Sequence, residues 1–241
     1  MLTQKKYAPA YKHAPIEKLF NDVYWVHGSV KMAPGMTINR NMVILKQGAD
    51  IFLINPVRLE ASEEHQLKKL GKVKAILRLG DFHGLDDAYY IDTFKAEFWC
   101  QAGQTSYPSL KPDHMIDEHI ASPIDNTEFF IFSSAKFPES ALLLKTHKLL
   151  ITTDSVQNWT NWSYTTWSSR LLLRIMGFRT TLLIGKPWLK RVTPKGKSML
   201  GDFENLFELD FDNLLAAHGS PLLGGAKEKL RHVVTSVFKR S

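Results

Sequence analysis

The chain has 241 residues, 44% hydrophobic and 23% charged, with a net charge of +7. This composition is typical of a globular protein whose core needs no cross-links, and its single cysteine, Cys100, excludes an internal disulfide or a four-cysteine zinc module. No stretch approaches the ~20 apolar residues that cross a bilayer, and the start, MLTQKKYAPAYKH, lacks the apolar core of a signal peptide. We therefore expect a single domain over residues 1–241, located in the cytoplasm.

Strands and helices alternate in the first half of the predicted structure. Runs of β-branched and aromatic residues predict strands, and glycine or proline marks the turns between them. The predicted elements begin with strands over residues 22–30 and 41–55, with turns at Pro34-Gly35 and at Gly48–Asp50. A helix follows with Ser62 at its N-cap and Gly71 at its end, then a strand over residues 73–80, a helix entered through a loop that starts at Asp81, and a strand around residues 98–100. This alternation predicts an α/β protein.

The second half predicts a proline-rich loop, then strands, then a final helix. Residues 108–123 contain three prolines and have no periodic pattern. Residues 127–135 predict a strand, ALLL and LLIT predict a hairpin around the turn Lys145–Lys148, and FDNLLAAHG predicts a short apolar run. In residues 226–238, the apolar side chains recur with helical spacing, so this helix should pack on the core.

Residues 155–201, hereafter the basic segment, separate the predicted hairpin from that apolar run. They contain no acidic residue, eight basic residues and four of the six tryptophans. One interpretation is a helical insertion, with a helix around residues 168–176, whose tryptophans pack and whose cations are solvated. The other is a surface that faces an anionic ligand, a membrane or nucleic acid.

Three ionisable residues follow predicted strands and are candidates for one site. His83 follows VKAILRLG, Asp154 follows KLLITT, and His218 follows FDNLLAA. Imidazole and carboxylate groups together suit zinc, iron or manganese, and functional residues collect in loops at strand ends. Taken singly, such a histidine is more often a hydrogen-bonded structural residue than a metal ligand, and Asp154 could equally cap the following helix.

From about Asp22 to its C-terminus, the chain resembles the metallo-β-lactamase superfamily. AILRLGDFHGLDD lies where the family carries T-H-x-H-x-D-H-x-G-G, and KFPESALLLKTHKLLITTDSV resembles the family's H-x-P-G-S hairpin and the strand that ends in G-D. NLLAAHGSPLLGGAKEKL is similar to the closing G-H-G-x-P segment. The resemblance implies an αββα sandwich, with two mixed β-sheets and helices on both outer faces.

The chain departs from the family pattern at the first of the family's two metal sites. The two signature histidines of that site fall on Arg78 and Gly80, and the hairpin histidine falls on Lys136. The resemblance therefore implies that this site does not form. The second site retains His83, Asp154 and His218 but loses the signature aspartate, whose position holds Phe82. Asp81 is adjacent but should point elsewhere because side chains alternate along a strand. Asp86 or Asp87 could reach the site from the start of the next helix and replace the missing aspartate.

The resemblance implies a metallo-β-lactamase-like hydrolase, and the ligands that remain would form a reduced, single-metal site that holds zinc or iron. Its substrate would be an ester, amide or phosphoester with an anionic group. His83, Asp154 and His218 would bind the metal, and Asp154 could also orient water. Arg78 and Lys136 would pair with Asp154 and bind the anionic group or a developing oxyanion. Three tryptophans would form an apolar lip on the pocket: Trp159, Trp162 and Trp167.

A metal-free protein is an equally open interpretation. The same residues would then form a hydrogen-bonded cluster in a catalytically inactive scaffold that binds an anionic small molecule or nucleic acid. The basic, tryptophan-rich segment favours nucleic acid weakly, while nuclease relatives use two metals, which this chain is not expected to assemble. The basic segment is also consistent with attachment to a membrane surface.

Overall fold

Two β-sheets face each other across an apolar interior in the computed structural model, which describes residues 7–107 and 110–239. The first sheet has seven strands in chain order: β1 (Glu17–Phe20), β2 (Val23–Ala33), β3 (Met36–Gln47), β4 (Asp50–Ile54), β5 (Lys72–Arg78), β6 (Glu97–Cys100) and β7 (His114–Met115). Its first four strands are antiparallel to their neighbours, and β4 to β7 run parallel.

The second sheet has four strands in the order β13-β10-β9-β8. Its members are β8 (Thr127–Ile131), β9 (Ser140–Leu144), β10 (Leu149–Thr152) and β13 (Asn213–Ala216). Here β10 and β13 are parallel and the other pairs are antiparallel, so both sheets are mixed. A separate two-stranded ribbon joins β11 (Gln157–Asn158) to β12 (Leu182–Leu183).

Helices cover the outer face of each sheet. They are α1 (Ala61–Leu70), α2 (Asp87–Phe94), α3 (Trp167–Ile175), α4 (Lys186–Val192), α5 (Leu200–Leu206) and α6 (Ala226–Phe238). Leu67 of α1 and Tyr90 of α2 pack on the first sheet, and Phe203 of α5 and Leu230 of α6 pack on the second. The predicted αββα sandwich is confirmed. Within the described ranges, no helix is long and apolar enough to cross a membrane.

The continuous apolar runs of the second sheet follow from burial on both faces. Leu142 and Leu144 of β9 belong to the cluster between the sheets, whereas Leu143 belongs to the cluster beneath the helices. Successive side chains of a strand point to opposite faces, so a strand that is covered on both sides needs an apolar residue at every position. The predicted hairpin of ALLL and LLIT is confirmed as β9 and β10.

Element boundaries differ from the predictions in three places. Helix α1 begins two residues early, with Glu60 rather than Ser62 at its N-cap. The proline-rich loop contains the short strand β7, which pairs with β6 and has too few residues to show the alternating pattern of a strand. Residues 108 and 109 of that loop lie outside the described residues, as do residues 1–6 of the opening segment. The strand predicted over residues 127–135 ends at Ile131.

The topology brings the candidate loops together. Thr152 of β10 pairs in parallel with Ala216 of β13, so Asp154 and His218 each lie two residues beyond adjacent strand ends. The backbone N–H of Ser140 donates to the carbonyl of Leu79, which ties the end of β5 to the start of β9. The chain then makes a 3-10 turn at Asp81–His83, which directs His83 toward the second sheet.

Candidate functional site

His83, Asp154 and His218 form one cluster. Their potential ligand atoms all lie within 4.8 Å of one another. His83 Nε2 is 3.2 Å from Asp154 Oδ2, and His218 Nε2 is 3.2 Å from Asp154 Oδ1. The carboxylate therefore lies between two imidazoles that are 71 and 64 residues away in sequence. In the part of the chain that the structure describes, this is the one group of histidine, cysteine and acidic side chains with metal-ligand spacing.

The hydrogen bond on the far side of His218 defines its tautomer. His218 Nδ1 lies 2.6 Å from the carbonyl oxygen of Asn39, so Nδ1 must carry a proton and donate it. In a neutral ring, Nε2 is then a bare lone pair that faces Asp154 Oδ1. Two electron-rich atoms at 3.2 Å repel each other, so either a second ring proton or a bound cation must lie between them.

The cluster keeps Asp154 ionised. Burial favours the neutral acid, but the charges and hydrogen bonds of His83 and His218 outweigh it and hold the pKa of Asp154 well below its usual range. Burial lowers the pKa of His83, against the raising effect of Asp154. His83 Nδ1 is buried with no hydrogen-bond partner among the described residues. An ionised carboxylate and two imidazole rings that meet at one point are a donor set that metal ions use when the rings are neutral.

A polar run in the middle of β3 holds both histidines. Asn39 accepts the His218 proton through its carbonyl, and its Oδ1 accepts the backbone N–H of Gly219. Arg40 Nη2 donates to the carbonyl of His83 at 2.9 Å, and Asn41 Nδ2 donates to that of Gly219 at 2.8 Å. Sequence analysis missed these residues, although three consecutive polar residues in a buried apolar strand are a usable sign of structural or functional constraint.

The backbone at Gly219 depends on the absence of a side chain. Gly219 has φ +84°, and a Cβ there would lie 1.8 Å from the carbonyl oxygen of Asn158. Only glycine tolerates that approach. The HGSP sequence thus fixes the direction of the turn that carries His218.

The three nearby aspartates do not complete the cluster. Asp81 accepts hydrogen bonds from the backbone N–H groups and hydroxyls of Thr105 and Ser106. The suggestion that Asp86 or Asp87 replaces the missing ligand is wrong, because Asp86 pairs with Arg40 at 3.2 Å and Asp87 pairs with Arg78 at 2.5 Å. Asp86 and Asp87 therefore each have a buried cationic partner already.

The predicted role of Arg78 is corrected by its surroundings. Its side chain is 2% exposed, pairs with Asp87, and lies against Gly84, where a Cβ would come within 2.4 Å of the guanidinium carbon. It therefore stabilises the junction of β5 with α2 rather than pairing with Asp154. Lys136, the other predicted cation, is exposed, with Nζ 5.5 Å from the centre of the Phe137 ring. The partners of Asp154 are histidines in place of either cation.

Glu139 is a buried carboxyl group that sequence analysis did not assign to the site. Its Oε1 accepts hydrogen bonds from Thr153 Oγ1 and from the backbone N–H of Ser155, the two neighbours of Asp154. Burial, followed by the charge of Asp154, raises the pKa of Glu139 to about 8. A Cβ at Gly80 would lie 2.6 Å from Glu139 Oε2, so Glu139 occupies the space beside one position where the resemblance places a histidine.

A pocket of about 200 Å³ opens beside Asp154. Asp154 and Gln157 provide its polar floor, and Gln157 Nε2 donates to Asp154 Oδ1 at 3.0 Å. The remaining lining residues are Phe82, Phe178, Gly185, Pro187, Trp188 and Arg191. Arg191 is exposed, and its guanidinium carbon lies 4.7 Å from the centre of the Phe82 ring. The pocket thus combines an anionic floor, apolar walls and a cation at its rim.

The tryptophans of the basic segment have different positions from those predicted. Trp159 stacks on His218 with ring centres 5.7 Å apart, and Trp162 packs behind Trp159. Neither lines the pocket, and Trp167 is 76% exposed on α3. The apolar wall comes instead from Phe82, Phe178 and Trp188. The predicted lip of Trp159, Trp162 and Trp167 is therefore wrong, because two of these rings support the histidine from behind.

Comparison with known proteins identifies the fold. No family model and no curated protein matches the sequence. The structure is similar to TMB-1, with a TM-score of 0.66 and 9% identity over 95% of this chain and 99% of that one. It is also similar to the mono-zinc form of the metallo-β-lactamase FIM-1 from Pseudomonas aeruginosa, with a TM-score of 0.61, 9% identity and coverage of 95% and 98%.

A metallo-β-lactamase from Hirschia baltica gives a TM-score of 0.58 at 14% identity, over 92% of this chain and 97% of that one. The chain therefore has the metallo-β-lactamase fold along nearly its whole length. The resemblance predicted from the sequence is confirmed at the level of the fold.

We expect Arg78→Met to lower the free energy of unfolding by roughly 3–5 kcal/mol, because it leaves Asp87 as a buried charge with no partner. The double variant Arg78→Met with Asp87→Asn should recover part of this loss, since it removes the stranded charge. Lys136→Met, which alters an exposed cation, should change stability by less than about 0.5 kcal/mol. Urea titrations of the four proteins measure these values. Wild-type stability in Arg78→Met would contradict the structural role.

Glu139 should make the protein less stable as the pH rises from about 5 to 8. The folded state retains the Glu139 proton up to about pH 8, whereas an unfolded glutamate loses it near pH 4.5. Deprotonation therefore favours the unfolded state across this window. Relative to Glu139→Gln, we expect wild-type protein to lose roughly 2–4 kcal/mol of unfolding free energy between pH 5 and pH 8. Denaturant titrations at each pH measure the difference, and parallel profiles would contradict the assignment.

Proposed function

We propose that the protein is a metal-dependent hydrolase with a single-ion site. The convergence of His83, Asp154 and His218 beside a pocket carries this proposal. The proposed substrate is an ester, amide or phosphoester that bears an anionic group. The ion would be zinc or iron, since imidazole and carboxylate donors suit both.

The donor set fits one divalent cation. Three protein ligands with an open position are sufficient for a catalytic zinc site. The lone pair of His218 Nε2 and the ionised carboxylate of Asp154 face the same point. His218 Nδ1–H donates to a backbone carbonyl, as is usual for metal-binding histidines. When bound, such an ion supplies Lewis acidity and activates water at neutral pH.

The protein's own residues would bind and orient the substrate. Arg191 at the pocket rim and Lys136 beside Phe137 are the cations available for an anionic substrate group, since both lie against the Phe137 ring. Phe82, Phe178 and Trp188 would contact the apolar part of the substrate and exclude water. Asp154, held by Gln157 and the two histidines, would accept a hydrogen bond from an attacking water and so orient it.

A metal-free scaffold that binds an anionic small molecule or nucleic acid is the second candidate. It is favoured by Glu139, which fills the space beside Gly80, and by the contacts that Asp154 already makes with two imidazoles. In that state, a second proton on His218 would replace the cation, and Arg191 would bind the ligand without chemistry.

Metal uptake tests the site directly. Protein stripped of metal and dialysed against Zn²⁺ or Fe²⁺ should bind about one ion per chain, measured by plasma mass spectrometry. Removing one of three ligands costs much of the binding free energy, so His83→Ala and His218→Ala should weaken affinity by at least about 100-fold. His147→Ala, which changes a half-buried histidine at the β9–β10 turn outside the cluster, is the matched control. Equal uptake by all four proteins would disprove the site.

Hydrolysis tests the activity. Metal-loaded protein should release the chromophore from at least one of a carboxylate-bearing aryl ester, anilide or phosphodiester, and Asp154→Asn should abolish this release. Arg191→Gln should lower kcat/KM for the carboxylate-bearing substrate at least about tenfold, because a charged contact contributes ~1.5–3 kcal/mol. Its effect on the matched uncharged substrate should be small. Metal-loaded protein that shows no turnover on the whole panel would favour the binding scaffold.

A further inference from the structure

Helix α3 exposes large apolar side chains on the surface. Eight large hydrophobic residues of the described ranges are exposed, and five of them lie between positions 167 and 176. They are Trp167, Leu171, Leu172, Ile175 and Met176, and the exposed fractions of Trp167 and Ile175 are 76% and 75%. This concentration on one short element is unusual for a surface in contact with water.

The exposed residues share one side of the helix. Trp167, Leu171 and Ile175 are spaced four residues apart and so lie in one row along it. The opposite side faces the protein, where Ser169 is buried and Leu173 packs on the cluster of Trp159, Trp162 and Phe178. The helix is therefore amphipathic, but its apolar row of Trp167, Leu171 and Ile175 faces outward, and the side that packs on the protein carries the small residue Ser169.

Hydrogen bonds hold the helix in this orientation. At its start, the backbone N–H of Thr166 donates to the carbonyl of Thr37, and Ser168 Oγ donates to the carbonyl of Gly35 at 2.7 Å. Arg170 donates to the carbonyls of Trp162 and Thr165. The turn between β2 and β3 thus supports α3, and another exposed residue, Met32, lies next to that turn with 62% of its surface accessible.

The surroundings of the apolar row are cationic. The basic segment carries eight basic residues and no acidic one. A surface cavity of about 400 Å³ is lined by Arg174, Ile175, Phe178, Arg179 and Thr180, which places two guanidinium groups beside the apolar row. Arginine side chains in such a position are suited to bind phosphate groups.

We propose that α3 docks the protein onto an anionic lipid surface. Trp167, Leu171 and Ile175 would enter the interface between headgroups and acyl chains, while Arg174 and Arg179 bind lipid phosphates. A second copy of the chain fits this face poorly, because two such faces would bring like charges together. Phe178 lines both the cavity beside α3 and the pocket beside Asp154, so a docked bilayer lies next to that pocket.

The intrinsic tryptophan fluorescence offers a selective readout. Trp167 is exposed, whereas the other five tryptophans are at most 9% exposed. Insertion should therefore shift the emission of Trp167 to shorter wavelength, and lipids brominated in the acyl chain should quench it. Co-sedimentation with vesicles of equal parts phosphatidylglycerol and phosphatidylcholine gives the affinity, with pure phosphatidylcholine vesicles and inorganic phosphate as comparisons.

Surface variants separate the apolar and cationic contributions. Leu171→Ser with Ile175→Ser should weaken binding to anionic vesicles at least about tenfold, because two apolar side chains no longer leave water. Arg174→Gln with Arg179→Gln should weaken it similarly, and binding of the wild-type protein should decrease as salt is added. Leu223→Ser, which alters another exposed leucine outside the basic segment, should bind as wild type does.

Several outcomes would overturn the proposal. They are no binding to anionic vesicles at low salt, binding that the α3 variants leave unchanged, or equal binding to pure phosphatidylcholine. Concentration-dependent dimerisation in the ultracentrifuge that Leu171→Ser with Ile175→Ser abolishes, with no vesicle binding, would identify the face as a contact between copies. Because these measurements need neither metal nor turnover, their failure is distinct from a failure of the proposed hydrolase.

Discussion

The carboxylate of Asp154 between two imidazoles is the constraint on which the site depends. A buried anion is costly unless it is paired, and here its partners come from loops of both sheets. The polar run Asn39–Asn41 fixes those partners from a third direction by binding the backbone of both histidine loops and the ring of His218. The positions of the carboxylate and of the two imidazoles are therefore fixed by the strands and loops that carry them.

The chain has the metallo-β-lactamase fold, and a buried carboxyl group, Glu139, lies beside the candidate site. Gly80 has no space for a side chain, because Glu139 lies beside it and is anchored to both neighbours of Asp154. A histidine introduced at position 80 would therefore lie against Glu139.

The arginines near the site occupy different structural positions, which their residue type alone does not predict. Arg78 and Arg40 are buried against Asp87 and Asp86 and hold the loop around His83. Arg191 lies at the rim of the pocket, and Arg174 and Arg179 lie beside α3. The cations of the basic segment therefore lie at two separate places, the rim of the pocket and the exterior surface beside α3.

The sequence by itself predicted the β9–β10 hairpin, the final helix and the candidates His83, Asp154 and His218, and its resemblance to the metallo-β-lactamase superfamily implied the αββα architecture. Periodicity, turn residues and ordered motifs are local properties, so they can be recognised along the chain. Only the tertiary structure decided that Arg78 pairs with Asp87, that Glu139 fills the space beside Gly80, and that Trp159 supports His218 from behind. These contacts join residues from 9 to 59 positions apart, and the direction of each side chain depends on packing against elements that no local pattern specifies.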